Sequence, residues 1–375
     1  MIPDTRLMSP PLIGSYKAED VVFLLKDISD AKLEVPTEDR EEAIQAGRHY
    51  SEMLPVEYQP TQDYLDLFHR TLQSSAKKVA LAAGVVAELI IKKRGCNVVL
   101  ASLARAGTPI GILIKRYVEK TYGITLPHYS ISIIRGKGID ENAILYMLQN
   151  HPSSEIQFVD GWTGKGAIRK VLIEASKIFH EKHHVLLNDD LAVLADPGHC
   201  SQTFGTREDF LIPSAALNST VSGLVSRTVL RPDLIGPNDF HGAKFYREWL
   251  AEDVSNVFVD QVSAHFDEIM DQAKLQAEQL YLHPEEESWK GMQDITRIQN
   301  DFEIRDVNLV KPGVGETTRV LLRRVPWKIL VDREDNPNLE HIRLLVKDRN
   351  VPIEVYPDLS YSCCGIIRPA KGEKS

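Results

Sequence analysis

The sequence predicts an α/β protein built on a doubly wound, mostly parallel sheet, followed by a small αβα-sandwich domain at the C-terminal end. Three observations carry this. Between residues 97 and 195, short apolar runs alternate with helical patterns. The runs are apolar at consecutive positions, as strands covered on both faces require. Several of them end in glycine-rich or polar turns, the usual punctuation of strand-to-helix connections.

Taken in order, residues 14–67 read as short helices joined by polar turns, with Glu38, Asp39, Glu41 and Glu42 opening a helix toward His49 and Tyr50. A long helix is expected over 75–93. Strands are then expected at 97–103, 129–134, 156–160 and 191–195, and helices at 110–120, 141–149 and 167–180. Residues 243–282 read as helical and acidic, and the cluster His283 to Ser288 breaks that pattern. The expected divisions are 1–240, a connector at 241–300, and 301–375. Within the last, helices at 316–324 and 339–349 alternate with strands at 328–331 and 353–355.

With 375 residues and 43% hydrophobic side chains, the chain can bury more than one core. No apolar stretch is long enough to cross a bilayer and no signal pattern opens the chain, so a cytoplasmic address without membrane contact is expected. Four cysteines, none in a CxxC frame, argue for reduced thiols and against a zinc site. The net charge of −9 excludes a nucleic-acid footprint over the whole surface. Its distribution is uneven. Residues 301–375 carry 13 Lys and Arg against 12 Asp and Glu, whereas residues 1–300 carry 31 against 41. A polyanion should therefore prefer the C-terminal end.

Residues 156–167 combine a buried strand, Asp160 at its end, the turn Gly161, Trp162, Thr163, Gly164, Lys165, Gly166, and a helix start at Ala167. Small residues let backbone N–H groups approach an anion, and the helix N-terminus adds partial positive charge. Arg105, Ala106, Gly107 and Thr108 form a second strand-end loop, and Arg135 to Asp140 a third, basic one that includes Lys137. Together these loops resemble those of the type I phosphoribosyltransferases, and more closely a divergent group associated with bacterial tellurite-resistance and stress-response clusters. That resemblance implies a ribose 5-phosphate substrate, phosphate contacts from residues 105–108 and 161–167, chemistry at the anomeric carbon assisted by Asp160, Arg135 and Lys137, Mg²⁺ as cofactor, and a homo-oligomer.

The block Asp196, Pro197, Gly198, His199, Cys200 follows another strand. Cys200 reads first as a buried structural thiol. The same divergent group is also labelled StiP, a cysteine-protease family, which makes Cys200 the alternative nucleophile, with His49 or His128 as its base. A noncatalytic nucleotide sensor is a third reading. Ser219, Ser222 and Ser226 fall at helical spacing and either line a site or pack tightly.

In the C-terminal part, Gly313, Gly315, Glu316, Thr317 and Arg319 open a helix that runs on to Arg323 and Arg324. This pattern resembles the L7Ae and Pelota RNA-binding family. The resemblance implies structured RNA as a partner, met by Gly313, Gly315, Glu316, Thr317, Arg319 and Arg323.

Overall fold

The computed structural model describes residues 7–36, 39, 43, 47–57 and 60–368. The helix expected to open at Glu38, Glu41 and Glu42 lies largely outside these residues. The rest of the N-terminal segment corrects the helical expectation, because it forms two-residue strands: β1 (Val22–Phe23), β2 (Lys26–Asp27), β3 (Glu34–Val35) and β4 (Leu54–Pro55). Such short strands have no core of their own. β1 adds to the main sheet beside β6 (His128–Ile131), and β2 pairs with a strand more than 200 residues downstream.

Helix α1 spans Gln62–Arg94, more than three turns longer at its start than expected, because Tyr64, Phe68 and Leu72 extend the buried stripe through a mostly polar stretch. Next come β5 (Val98–Leu103), α2 (Gly107–Tyr122), β6, and a hairpin of β7 (Ile133–Ile134) and β8 (Gly138–Ile139). α3 (Glu141–Asn150), β9 (Glu155–Trp162), α4 (Ala167–His183), β10 (Leu191–Ala195) and β11 (Thr203–Thr206) complete the core. The six-stranded sheet has the order β1-β6-β5-β9-β10-β11, and every pairing in it is parallel.

Residues of β5 alternate between the two faces. Val98 and Leu100 pack with α1 and α2, while Val99, Ala101 and Leu103 pack with α3 and α4. The chain leaves β5 for β6 on one side and returns to β9 on the other. This reversal opens the crevice at the carboxyl edge where ligands of such sheets sit. The serines at 219, 222 and 226 are not helically arranged, since only a 3₁₀ turn, Ser219–Val221, forms there.

After β12 (Gly242–Ala243), helices α5 (Ser255–Ser263) and α6 (Phe266–Leu282) cover α1 and α2. The second unit contains α7 (Lys290–Asp301), β13 (Val310–Pro312), α8 (Val314–Arg323), β14 (Pro326–Val331), α9 (Glu340–Arg349), β15 (Ile353–Val355) and β16 (Cys363–Ile367). Its sheet runs β13-β16-β14-β15. Ile329, Val331 and Cys363 face α8 and α9, whereas Leu330, Cys364 and Ile366 face α7.

The two units share a core, with Leu211, Ala215 and Trp162 packed into the cluster of Val314 and Leu321. At its margin the buried Asp209 carboxylate accepts the backbone N–H of Val314 at 2.9 Å and of Ser362 at 2.8 Å. Val314 begins α8, so this carboxylate satisfies one of the donors that a helix start leaves without intrahelical partners. Burial pushes the carboxyl up to about 7 against these N–H groups, and Asp332 adds to the rise.

Two outcomes are expected. A Cβ on Gly111 would lie 2.1 Å from Ser102 Oγ and 2.3 Å from His128 Nε2, which bond each other at 2.7 Å in the core. Gly111→Ala should therefore destabilise by about 1–3 kcal/mol, read as a lower denaturant midpoint. Asp209, raised from 3.8 to about 7, contributes stability that is complete below pH 4 and lost as pH rises through 7. The loss is about 1.4 kcal/mol per unit of separation. Denaturation at pH 5 and pH 8 should show a decline that is smaller in Asp209→Asn.

Candidate functional site

The loops after β5, β9 and β10 meet at the carboxyl edge. A Cβ on Gly107 would strike the Val159 carbonyl at 2.4 Å, and one on Gly161 would lie 3.2 Å from the Ala106 carbonyl. Glycine at both positions lets the first two loops touch. Of the side chains expected to hold phosphate, several have other partners. Thr108 bonds Ser130 in the core at 2.8 Å. Arg105 lies on Glu57 at 3.4 Å and donates to the Val225 carbonyl at 3.0 Å. Lys165 donates to the Val307 carbonyl of the second unit at 2.7 Å. Burial, with Lys311 and Arg135 nearby, pushes the Lys165 amine down to about 8.

Asp160 is half-buried, and its carboxylate accepts the Gly161 N–H at 2.7 Å. Burial pushes it up to about 7. It is followed by Gly161 and Trp162 rather than a second acid, a poor donor set for Mg²⁺. Among the described residues no group of three or more His, Cys, Asp or Glu side chains converges to hold a metal. Arg135 and Lys137 are exposed at the β7–β8 hairpin. The Tyr50 hydroxyl accepts the Arg135 N–H at 2.8 Å, and His49 Nε2 meets the Arg135 carbonyl at 3.1 Å.

The loop after β10 is organised by Asp196, whose side chain is fully buried. Its carboxylate accepts the N–H of Cys200 at 3.0 Å and of Ser201 at 2.9 Å, the Thr163 hydroxyl, and the Arg207 guanidinium. Arg207 in turn stacks 3.7 Å from the Phe204 ring centroid and pairs with Glu285 at 2.9 Å. Asp196 thus fastens residues 196–201 to Thr163 on the neighbouring turn. His199 adopts a left-handed φ of 53° with its N–H on the Asp196 carbonyl, so the backbone turns at this point instead of running extended into Cys200.

Cys200 is fully buried, with its thiol donating to the Gly198 carbonyl at 3.3 Å. The Cβ position of Gly166, the residue before α4, lies 2.9 Å from its sulfur and 2.3 Å from the Trp289 ring. The second unit covers the loop. The N–H groups of Trp289 and Gly291 donate to the carbonyls of His199 and Gly198, at 3.0 and 3.2 Å, and the Tyr361 hydroxyl donates to the Gly164 carbonyl at 3.1 Å. Burial, then Asp196 and Glu287, push the thiol up to about 12.

The histidines proposed as its base are engaged elsewhere. His128 spans Ser102 and the Asp20 carbonyl, and burial pushes it down to about 4. His49 bonds Ser51 and the Arg135 loop. Among the described residues no imidazole bonds to the sulfur. His199, half-buried, is held below its ordinary value by burial and by Arg207, and is therefore neutral at pH 7.

The face expected to meet RNA lies against the first unit. The Cβ position of Gly315 is 3.2 Å from Ala215, that of Gly313 is 3.2 Å from the Asp209 carboxylate, and Thr317 is buried. Arg319 sits 5.3 Å over the Trp162 ring, donates to the Ala215 carbonyl, and pairs with Glu316 at 3.3 Å. The side chain of Arg323 lies outside the described residues. Between the units remains a cavity of about 10 Å³ lined by Trp162, Thr163, Asp209 and Gly313, room for one water. Among the described residues no helix is long and apolar enough to cross a membrane.

Comparison with known proteins resolves the choice of chemistry. Residues 289–369 match the PELOTA RNA binding domain, which agrees with the likeness seen at 313–319. Residues 14–263 match the family described as tellurite-like stress resistance cysteine protease StiP. The chain is also 30% identical, over 356 residues, to the cysteine protease StiP of Acinetobacter baylyi, covering 92% of this chain and 91% of that protein. These matches overturn phosphoribosyl transfer as the activity and favour the cysteine-protease alternative. The chain belongs to the StiP family of stress-resistance cysteine proteases.

Proposed function

We propose that the chain hydrolyses peptide bonds with Cys200 as nucleophile, in a form where the second unit has moved off the loop. The position of Cys200 carries this reading. Of the two cysteines in the StiP-matched region, Cys96 is exposed between the end of α1 and the start of β5, on the amino edge of the sheet. Cys200 lies at the carboxyl edge, beside the start of α4. The partial positive charge of a helix N-terminus stabilises a thiolate once solvent reaches it. The N–H groups of the same first turn are donors for the oxyanion of an attacked carbonyl.

In this scheme His199, neutral at pH 7, accepts the thiol proton. The sulfur adds to the substrate carbonyl carbon, the C–N bond breaks, and the departing amine takes the proton from His199. Water then hydrolyses the thioester, which restores the thiol and releases the acid. Asp196 touches no substrate. It is a positioning residue that fixes the loop through the Cys200 and Ser201 N–H groups. With Trp289 and Tyr361 in place the thiol stays protonated and covered, so the closed form is inactive.

Hydrolysis of an unfolded protein such as casein should fall by about 10³-fold or more in Cys200→Ala, and by about 10²–10⁴-fold in His199→Gln, with melting temperatures unchanged. Full activity in Cys200→Ala contradicts the proposal. Iodoacetamide at pH 8 should modify exposed Cys96 first and Cys200 far more slowly, as peptide mass mapping will show. Equal rates at both would mean the cover is not in place.

A further inference from the structure

The helix start that the Pelota likeness assigns to RNA is packed against the first unit, yet the opposite end of that helix is open. Arg324 caps α8 there, about 15 Å along the axis from Val314 at 1.5 Å per residue. Arg324, Trp327, Arg349, Asn350, Pro352 and Arg368 are among the residues that line a concavity of about 290 Å³. None of its lining comes from residues 1–288, and none of it is acidic. All three arginines are exposed. Arg349 is held by a bond to the Leu322 carbonyl at 3.3 Å, and the Arg368 N–H by the Val325 carbonyl at 3.1 Å.

We propose that this groove is the nucleic-acid contact of the C-terminal unit, taking one unstacked nucleotide of a single-stranded RNA segment. Three guanidinium groups outweigh the carbonyl ends of α8 and α9, each worth about half a negative charge. The groove is therefore positive on a chain whose net charge is −9. Its volume is at the lower end of small-ligand pockets, about 300 Å³, which suits one base with its phosphate and not a duplex. The half-buried Trp327 supplies a ring for stacking, and unpaired bases in single strands and loops are what such a ring accepts. RNA bound here leaves the contact between the units undisturbed.

The test is fluorescence anisotropy with the full chain, a labelled single-stranded RNA decamer and a duplex DNA of equal length, at two salt concentrations. The RNA should bind more tightly than the duplex. Arg349→Ala with Arg368→Ala should weaken RNA binding at least 10-fold and reduce the salt slope by about 1.4, at 0.7 per phosphate contact. Arg368→Lys should retain part of it, and Arg319→Ala should leave it unchanged. Undiminished binding in the double variant at an unchanged melting temperature overturns the groove. Binding lost in Arg319→Ala returns the contact to the helix start, equal binding of duplex overturns the single-strand assignment, and no RNA binding by the unmodified chain removes RNA as the ligand.

Discussion

The loop that carries Cys200 depends on one buried carboxylate. Asp196 gathers two backbone N–H groups, a hydroxyl and a guanidinium from three separate stretches of chain. Removing one partner of a buried ionic group costs about 3–5 kcal/mol, because the remainder is left uncompensated out of water. Thr163 and Arg207 therefore fix where the turn at 196–200 can sit, and with it the sulfur. Arg207 carries the same restraint outward to Glu285, at the boundary of the second unit.

The second unit extends the same arrangement. Its contacts include backbone N–H bonds onto the carbonyls of Gly198 and His199, the Tyr361 hydroxyl on the Gly164 carbonyl, the bonds of Lys165 and Asp209, and the apolar cluster around Val314 and Leu211. This contact buries the thiol and the start of α8 at once, and Asp209 fills the latter with a carboxylate. The energetic weak point is also Asp209, a buried acid with N–H partners and, among the described residues, no cation bonded to it, whose ionised form is the costly one.

Much of the fold was legible because parallel strands declare themselves. The run Leu191–Ala195 is apolar at every position and needs no partner to be recognised. The two-residue strands β1 to β4 were not, because their pairing is decided by distant chain, as in Lys26 with Gly242. The length of α1 was understated because its first turns fully bury only Tyr64, Phe68 and Leu72 among mostly polar neighbours. At the site, the glycine turn at 161–166 was visible but read as a phosphate cradle. The residues that give it another context, Val307 on Lys165 and Trp289 beside Gly166, lie more than 100 residues away. His49 and His128 stand out as bases for Cys200 because neighbouring side chains of an extended strand point to opposite faces, and the left-handed turn at His199 takes that residue out of such a geometry. Likewise, nothing near Gly313 indicates that Asp209 will occupy the helix start.

The central claim is that catalysis runs through Cys200. The most direct measurement is treatment of an actively proteolysing preparation of the full chain with a peptidyl chloromethyl ketone, followed by intact mass and peptide mapping. The account predicts one adduct, on Cys200, formed in step with loss of activity. Complete inactivation with Cys200 unmodified, or full activity with Cys200 modified, would contradict it.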